Sequence, residues 1–175
     1  VDGCNSLIDS VNLIINANPT AAVVPANITA CEGDAVQLTT STVANAYQWT
    51  GPNGFSSTLA NPAVISPLTA TDTGAYELVI TDINGCTAPA ATLQLNMNPL
   101  PTTPAITGTT EICEGENIVL STNATATNYI WTAPNGADTI TATTTLTVGP
   151  ASTFYQDGNW SLAIENANGC ISSAS

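Results

Sequence analysis

The chain contains no lysine, no arginine and no histidine among its 175 residues, although it carries 13 aspartates and glutamates. Its formal net charge at pH 7 is therefore −13. Because phosphate groups and anionic lipids are recognised by cationic side chains, this composition argues against nucleic-acid binding and against docking on an anionic membrane surface. The carboxylates have no basic side chain to pair with, and trypsin-type proteases have no bond to cleave.

The same absence removes most catalytic side chains. No histidine base, lysine nucleophile or arginine clamp is present, and these groups carry much of acid–base and covalent catalysis. A pair of carboxylates is sufficient for glycoside hydrolysis, but we find none within a repeat beyond acids in turns. We therefore predict that the chain is not an enzyme and needs no organic cofactor.

Long apolar runs are also missing. A membrane-spanning helix needs about 20 apolar residues, whereas the apolar stretch Val11–Ile15 is already interrupted by Asn12. The chain does not open with methionine or a signal-peptide pattern, which we interpret as an internal stretch or mature form of an exported protein. Its five cysteines predict an oxidising compartment. We expect an extracellular, cell-surface protein without direct membrane insertion.

Three short motifs recur with one period. An Asx-Gly-Cys motif ends at Cys4, Cys86 and Cys170, at spacings of 82 and 84 residues. Two further motifs recur after 82 residues: Cys-Glu-Gly-Asp/Glu begins at Cys31 and Cys113, and Tyr-x-Trp-Thr-x-Pro-Asn-Gly begins at Tyr47 and Tyr129. Agreement of independent motifs on one period predicts tandem repeats.

The phase of these repeats predicts the domain boundaries. Residues 1–19 correspond to the last strand of a preceding repeat, or to a donor strand. Residues 20–99 form one complete repeat, and residues 100–175 form a second repeat that lacks its last strand. Asn-Pro steps at Pro19 and Pro99 mark the joints, where proline stiffens the connection.

Each repeat has the alternation of half-buried antiparallel strands. Apolar residues alternate with polar ones over 36–40, 76–80 and 93–97, and Tyr47 and Trp49 flank Gln48. Turn signals such as Gly51–Gly54 separate these segments. About seven short strands over roughly 80 residues are typical of an immunoglobulin-like sandwich. We predict an all-β chain of tandem immunoglobulin-like antiparallel β-sandwiches arranged end to end.

The residues that carry this pattern resemble an immunoglobulin domain. Glu32-Gly33-Asp34, Val36-Gln37-Leu38, Trp49 and Asp72–Tyr76 follow one another as in that family. The resemblance implies that Trp49 is the core tryptophan and that Tyr76 lies at the tyrosine corner. The second repeat has Trp160 at the tyrosine position, and an aliphatic pair, Leu38 and Leu78, replaces the inter-sheet disulfide.

The cysteine motifs add a more specific resemblance. Cys-Glu-Gly-Asp at the start and Asp-x-Asn-Gly-Cys at the end of a repeat are similar to tandem Ig/PKD-like repeats of Bacteroidota surface proteins. Those repeats occur in very large adhesins, including gliding adhesins exported by the type IX secretion system. The resemblance implies an extracellular structural protein.

The sandwich layout bears on the cysteine pairing. Cys31 precedes strand B at the lower end of a sandwich, whereas Cys86 lies in the F–G turn at the upper end. A strand of about 8 residues separates these ends by roughly 25 Å, beyond the ~7 Å that a disulfide allows between Cα atoms. Head-to-tail stacking instead predicts a Cys31–Cys170 pair, with partners outside this stretch for Cys4, Cys86 and Cys113. Pairing within each repeat, as Cys31–Cys86 and Cys113–Cys170, remains the alternative.

Two chemical features remain. Calcium prefers carboxylate and carbonyl oxygens, and a junction ion could be held by the acids of the opening turns, which are Glu32, Asp34, Glu114 and Glu116. The alternative is that these acids serve only turns and solubility. Asp-Ser/Thr-aliphatic triplets mark Ser10 and Thr139 as candidate O-glycosylation sites, a pattern used by Bacteroidota.

The sequence thus favours a structural segment of an extracellular filament or large surface adhesin, which supplies length, stiffness and protease resistance. Its partners would be neighbouring copies or repeats of the same filament. One alternative is donor-strand assembly, because residues 5–17 resemble a lone last strand and the second repeat lacks one. Another is a module that binds a surface glycan or protein, with Phe55 as the candidate exposed aromatic.

Overall fold

The computed structural model describes residues 10–63, 65–152 and 156–175. These residues form an all-β structure, as the alternation predicted. The chain divides into two compact units. Unit 1 takes its residues from Val1–Ala26, Gln37–Ala63 and Gly74–Gln94, and unit 2 from Asn27–Val36, Val64–Thr73 and Leu95–Ser175. The division runs through the first sequence repeat, so the compact units and the sequence repeats do not coincide.

The strands of the described residues are short. They are β1 (Asn27–Cys31), β2 (Ala46–Thr50), β3 (Ser56–Ser57), β4 (Gly74–Thr81), β5 (Ala91–Asn98), β6 (Thr107–Gly108), β7 (Ile118–Ser121), β8 (Asn128–Thr132), β9 (Asp138–Thr141), β10 (Thr145–Val148) and β11 (Ser161–Glu165). Single 3-10 turns cover Pro52–Gly54 and Ala70–Asp72. Within the described ranges, no helix has the length and apolar character needed to cross a membrane.

Unit 1 is built around β2 and β4. These strands pair antiparallel with Trp49 opposite Leu78, and β2 also pairs antiparallel with β3. Their inward residues are the alternating apolar positions of the sequence. Leu38, Trp49, Leu78 and Leu93 are fully buried, so the aliphatic residues expected in place of an inter-sheet disulfide do lie in the core.

One expected strand is not formed. Residues 36–40 alternate like a strand, yet only Val36 makes a bridge, to Ile65. Ile65 is flanked in sequence by Pro62 and Pro67, and proline has no N–H to donate to a ladder. The equivalent segment of the second repeat, β7, pairs over four residues with the proline-free strand β10.

Unit 2 contains a two-sheet sandwich. One sheet has the order β10-β7-β6 and the other the order β11-β8-β9. Both sheets contribute to one buried cluster, whose largest members are Trp131, Tyr129, Leu120, Leu146, Leu162 and Ile164. Trp131 is fully buried, as is Trp49 in unit 1, so both are core residues as predicted. Trp160 is half-buried against the cluster and donates from its indole nitrogen to the Gln156 carbonyl at 3.2 Å.

A hydrogen-bonded tyrosine recurs in both units. The Tyr47 hydroxyl donates to the Thr42 carbonyl at 3.1 Å and accepts from the Ala44 N–H at 2.9 Å. In unit 2 the Tyr129 hydroxyl donates to the Ala124 carbonyl at 2.9 Å and accepts from the Ala126 N–H at 3.1 Å. Each tyrosine therefore satisfies two backbone groups of the loop before its strand. The repeated motif that begins at Tyr47 and Tyr129 located both residues in the sequence but did not predict these hydrogen bonds.

Candidate interaction site: cysteine turns and an open sheet edge

The turn that opens the first repeat is fixed by its own side chain. β1 ends at Cys31, whose N–H donates to the Asp34 carboxylate at 2.8 Å, and the Asp34 N–H donates to the Cys31 carbonyl at 3.1 Å. Gly33 has φ +86°, a left-handed conformation that favours glycine. The Cys-Glu-Gly-Asp motif thus encodes a tight turn that presents the cysteine.

The turn that closes the second repeat is fixed in a similar way. The Asn166 side-chain oxygen accepts the N–H groups of Asn168 at 2.9 Å and of Cys170 at 3.1 Å. Gly169 has φ +78°. Asn166 was not singled out from the sequence. The signal was present in the spacing, because an Asp or Asn stands four residues before both Cys86 and Cys170, which is a typical cap for a turn.

Unit 2 holds these two turns together. A disulfide joins Cys31 to Cys170, with 5.6 Å between the Cα atoms. This is the pair that the stacking argument selected, and it connects the first sequence repeat to the second. The linker between the repeats is bound on both sides, because the Asn98 carbonyl accepts the Glu32 N–H at 2.9 Å and the Pro99 carbonyl accepts the Asn166 amide at 3.3 Å.

The other opening turn has the same geometry. The Cys113 N–H donates to the Glu116 carboxylate at 3.4 Å, the Glu116 N–H donates to the Cys113 carbonyl at 3.2 Å, and Gly115 has φ +91°. The hydrogen bond from the glycine of the turn to a neighbouring segment is also repeated. Gly115 donates to the Ala151 carbonyl at 3.0 Å, as Gly33 donates to the Leu68 carbonyl at 2.8 Å. Cys113 is an exposed free thiol.

The other closing turn is matched as well. The Asp82 carboxylate accepts the N–H groups of Asn84 at 2.9 Å and Cys86 at 2.8 Å, and Gly85 has φ +81°. Cys86 is a half-buried free thiol. Its sulfur lies 3.9 Å from the Asn16 carbonyl, much as the Cys170 sulfur lies 4.0 Å from the Asn98 carbonyl. Cys4 lies outside the described residues.

A cleft opens beside the Cys113 turn. Its volume is about 800 Å³, and its walls include Thr109–Glu114, the core residues Ile118 and Leu120, and Trp160 and Ser175. Residues 109–113 correspond to β1 after one 82-residue period, but they are not in a strand. The cleft therefore lies along an edge where the first repeat has paired strands.

The acids proposed for calcium are used locally. Asp34 and Glu116 accept the N–H groups of their own cysteines, and Glu32 and Glu114 are exposed. Across residues 10–63, 65–152 and 156–175, no group of three Asp, Glu, Cys or His side chains is placed to hold a metal ion. The structure thus does not bring the four acids into one cluster.

The remaining candidate residues lie apart from the cysteine turns. Ser10 is exposed, and Thr139 is exposed in β9, so both hydroxyls are accessible to a glycosyl donor. Phe55 is only half-buried, and its ring packs edge-on against Tyr76 with 5.2 Å between the ring centres. The ring of Phe55 thus contacts the core residue Tyr76 and is not fully exposed.

The strands of the sandwich in unit 2 lie within a stretch of sequence that matches a family model. Residues 99–175 match the PKD-like domain family. The fold is Ig/PKD-like. The match covers the predicted second repeat together with the proline that precedes it. The all-β fold and the disulfide fit a secreted or extracellular domain, because disulfides persist in oxidising compartments.

Solved structures with immunoglobulin-like domains give weaker similarities. Murine CEACAM1b is 20% identical at a TM-score of 0.39, with 88% of this chain and 95% of that chain covered. A structure of the mouse coronavirus receptor-binding domain complexed with its murine receptor is 16% identical at a TM-score of 0.44. The match covers 87% of this chain and 96% of that chain. Bovine butyrophilin is 16% identical at a TM-score of 0.39, with 90% of this chain and 98% of that chain covered. At these identities and TM-scores the similarity supports no conclusion about binding. No characterised protein matches the sequence closely enough to count as a relative.

Proposed function

We propose that the chain is a structural segment of an extracellular filament or large surface adhesin of the type IX-secreted Bacteroidota kind. Its Ig/PKD-like repeats are arranged end to end and supply length, stiffness and resistance to proteolysis. Its partners are neighbouring repeats or copies of the same filament. The segment performs no catalysis.

The Cys31–Cys170 disulfide carries this proposal. A covalent bond between neighbouring domains restricts their relative motion, as a stiff rod requires. A flexible string of domains needs no such bond. The disulfide acts together with the hydrogen bonds from Glu32 to Asn98 and from Asn166 to Pro99. These contacts hold the linker on both sides, which limits bending at the joint.

The surface composition supports the same function. The chain has a net charge of −13 and no cationic side chain, so like-charged segments repel one another rather than aggregate. Its exposed strand positions are rich in threonine, as in β9 and β10. Because the chain has no lysine or arginine, it offers no cleavage site to proteases of the trypsin class.

Small-angle X-ray scattering tests the stiffness of the joint. We expect the oxidised chain to have one extended maximum dimension, and the Cys31→Ser/Cys170→Ser variant to show a broader and shorter distribution. Cys113→Ser is the matched control, because it removes a thiol from the same kind of turn without breaking the disulfide. A compact, folded-back shape for the oxidised chain would contradict the proposal, as would identical scattering from the disulfide variant.

A further inference from the structure

The closing turns of the two repeats make the same backbone hydrogen bonds. The Asp82 N–H donates to the Cys86 carbonyl at 3.0 Å. The Asn166 N–H donates to the Cys170 carbonyl, also at 3.0 Å. One antiparallel bridge joins the two arms of each turn. Because Cys170 is disulfide-bonded and Cys86 is a free thiol, the first repeat presents the turn of a bonded cysteine with its thiol still free.

The opening turns match in the same way. The Asp34 carbonyl accepts the Leu68 N–H at 2.9 Å, and the Glu116 carbonyl accepts the Ala151 N–H at 2.7 Å. In the disulfide, an opening turn is bonded to a closing turn. Cys113 gives the second opening turn a free and exposed thiol. The described residues therefore contain one free turn of each kind, which are the two halves of a second junction.

A groove lies beside the free closing turn, within unit 1. Its volume is about 330 Å³. The buried Ile80 lies in its wall together with Val43 and Ile83, whose side chains are 93% and 86% exposed. Pro19 and Asp82 are also part of the wall. Apolar side chains with so much exposed surface mark this end of unit 1 as a contact surface.

The bonded junction shows what lies at the corresponding place. Pro19 corresponds to Pro99, and Asp82 corresponds to Asn166. In the bonded junction the Pro99 carbonyl accepts the Asn166 amide at 3.3 Å, and the residue before Pro99 accepts an N–H of the opening turn at 2.9 Å. The groove is therefore on the part of a closing end that receives an opening turn.

The free turns carry larger apolar side chains than the bonded turns. The differences at equivalent positions are Val43 for Thr125, Ile83 for Ala167 and Ile112 for Ala30. The bonded turns are held near each other by their own chain, which gives them a high effective concentration. Two separate chains have no such tether, so they need favourable contacts to offset the entropy lost on association. The larger apolar residues therefore favour a partner on another chain.

We propose that this end of unit 1 docks the opening turn of a second copy of this chain, and that Cys86 forms a disulfide with Cys113 of that copy. Ile112 precedes Cys113 and is 37% exposed, and in the complex it contacts Val43 and Ile83 at the groove. Each copy has one free turn of each kind, so the contact is head to tail. This inference rests on the proposed filament function and names the contact that joins the copies.

The bond forms by thiol–disulfide exchange with a small-molecule disulfide or a disulfide oxidoreductase. The Cys86 thiolate attacks one sulfur of that disulfide and releases the other sulfur as a thiolate. The Cys113 thiolate then attacks the Cys86 sulfur of this mixed disulfide and releases the second thiolate. The oxidant thus gains two electrons and two protons, and the two cysteines lose them.

The test is peptide mapping of an equimolar mixture of unlabelled and ¹⁵N-labelled chains, oxidised in a glutathione redox buffer. Both copies carry a net charge of −13, so about 0.5 M NaCl is added to shorten the Debye length to about 4 Å. A glutamate-specific protease places Cys86 in the peptide 78–111 and Cys113 in the peptide 112–114. We expect these two peptides to be disulfide-linked, with about half of the linked pairs carrying one labelled member.

Three results of this mapping would contradict the inference. Linked peptides without mixed labels would mean that the bond forms within one chain. Cys86 linked to a peptide other than 112–114 would mean a different partner. Cys86 and Cys113 both remaining as thiols after oxidation would mean that the two turns do not meet. Each of these results overturns the inference.

Variants of the groove test the contact surface. Val43→Asp/Ile83→Asp replaces two apolar side chains that are exposed in the single chain. We expect the linked product at equilibrium to fall by more than about tenfold, because the apolar contacts are lost. Asn53→Asp/Ser56→Asp adds the same charge at exposed positions outside the groove and should leave the yield within about twofold. Equal yields from the two double variants would overturn the docking surface.

The scattering measurement on the oxidised chain separates this inference from the proposed function. An extended chain that gives no Cys86–Cys113 product would overturn the inference and leave the proposed function in place. A compact, folded-back chain that still gives the product with mixed labels would contradict the proposed function and leave the contact between copies in place.

Discussion

Cys31 and Cys170 are separated by 139 residues in sequence, and their Cα atoms lie 5.6 Å apart in unit 2. A bond between such distant positions restricts the unfolded chain strongly. The chain-entropy model gives about 5 kcal/mol for a loop of this length, while typical measured values are about 2–4 kcal/mol. The disulfide is thus expected to contribute to the stability of the fold.

The first prediction follows from that loop. Cys31→Ser/Cys170→Ser should lower the free energy of unfolding by about 2–4 kcal/mol, measured by urea denaturation of the monomer. Cys113→Ser is the control and should change the value by less than about 0.5 kcal/mol, because this exposed thiol has no bond to lose. Equal stability of the disulfide variant and the control would show that the bond does not constrain the unfolded chain.

Sequence reasoning was most successful where one local rule dominated. The alternation over β4 placed Tyr76, Leu78 and Ile80 in the core, and all three are buried. It failed where the formation of a strand depended on the neighbouring segment. Residues 36–40 have a strand pattern, but continuing the antiparallel Val36–Ile65 bridge places Pro62 opposite Thr39, and proline has no N–H to donate to a ladder.

The candidate site shows the same limit. The repeated motifs located each cysteine turn, and stacking of sandwiches selected Cys31 and Cys170 as a pair. The side chains that fix the closing turns, Asp82 and Asn166, share a position four residues before a cysteine, but that spacing does not show which N–H groups they bind.

The second prediction concerns the buried tyrosine. Tyr129→Phe removes the hydroxyl that bonds the Ala124 carbonyl and the Ala126 N–H. Leaving two backbone groups unsatisfied should cost about 1–3 kcal/mol. Hydrogen exchange of the Ala126 amide gives the local measurement, and we expect its protection to be lost.

Tyr47→Phe is the matched comparison in unit 1. Tyr47 makes the same two bonds, to Thr42 and Ala44, but it is half-exposed whereas Tyr129 is 3% exposed. Water can replace the lost hydroxyl more easily at the exposed site, so the cost should be smaller than for Tyr129→Phe. A larger effect at Tyr47 would contradict this account.

The third prediction concerns Gly51, whose backbone is extended with φ −172°. Any residue can adopt that conformation, so the requirement for glycine is one of space. A Cβ at this position would overlap the Tyr76 ring, which is buried and also packs against Phe55. Gly51→Ala should therefore destabilise unit 1 by about 1–3 kcal/mol in urea denaturation followed by tryptophan fluorescence. Thr50→Ala, one residue earlier and exposed, should have a much smaller effect.

The last prediction follows from the absence of lysine, arginine and histidine side chains. Lowering the pH protonates the carboxylates, so the net charge rises from −13 at pH 7 and approaches zero only when nearly all of them are protonated, at about pH 3. An ordinary protein then becomes positively charged and dissolves again, because its lysines, arginines and histidines stay protonated. This chain has only its α-amino group to carry positive charge. Its solubility, measured by turbidity between pH 7 and pH 2, should fall below pH 4 and stay low. A variant with six exposed threonines changed to lysine should dissolve again below pH 4, and recovery of the unaltered chain at pH 2 would show that charge repulsion does not keep it in solution.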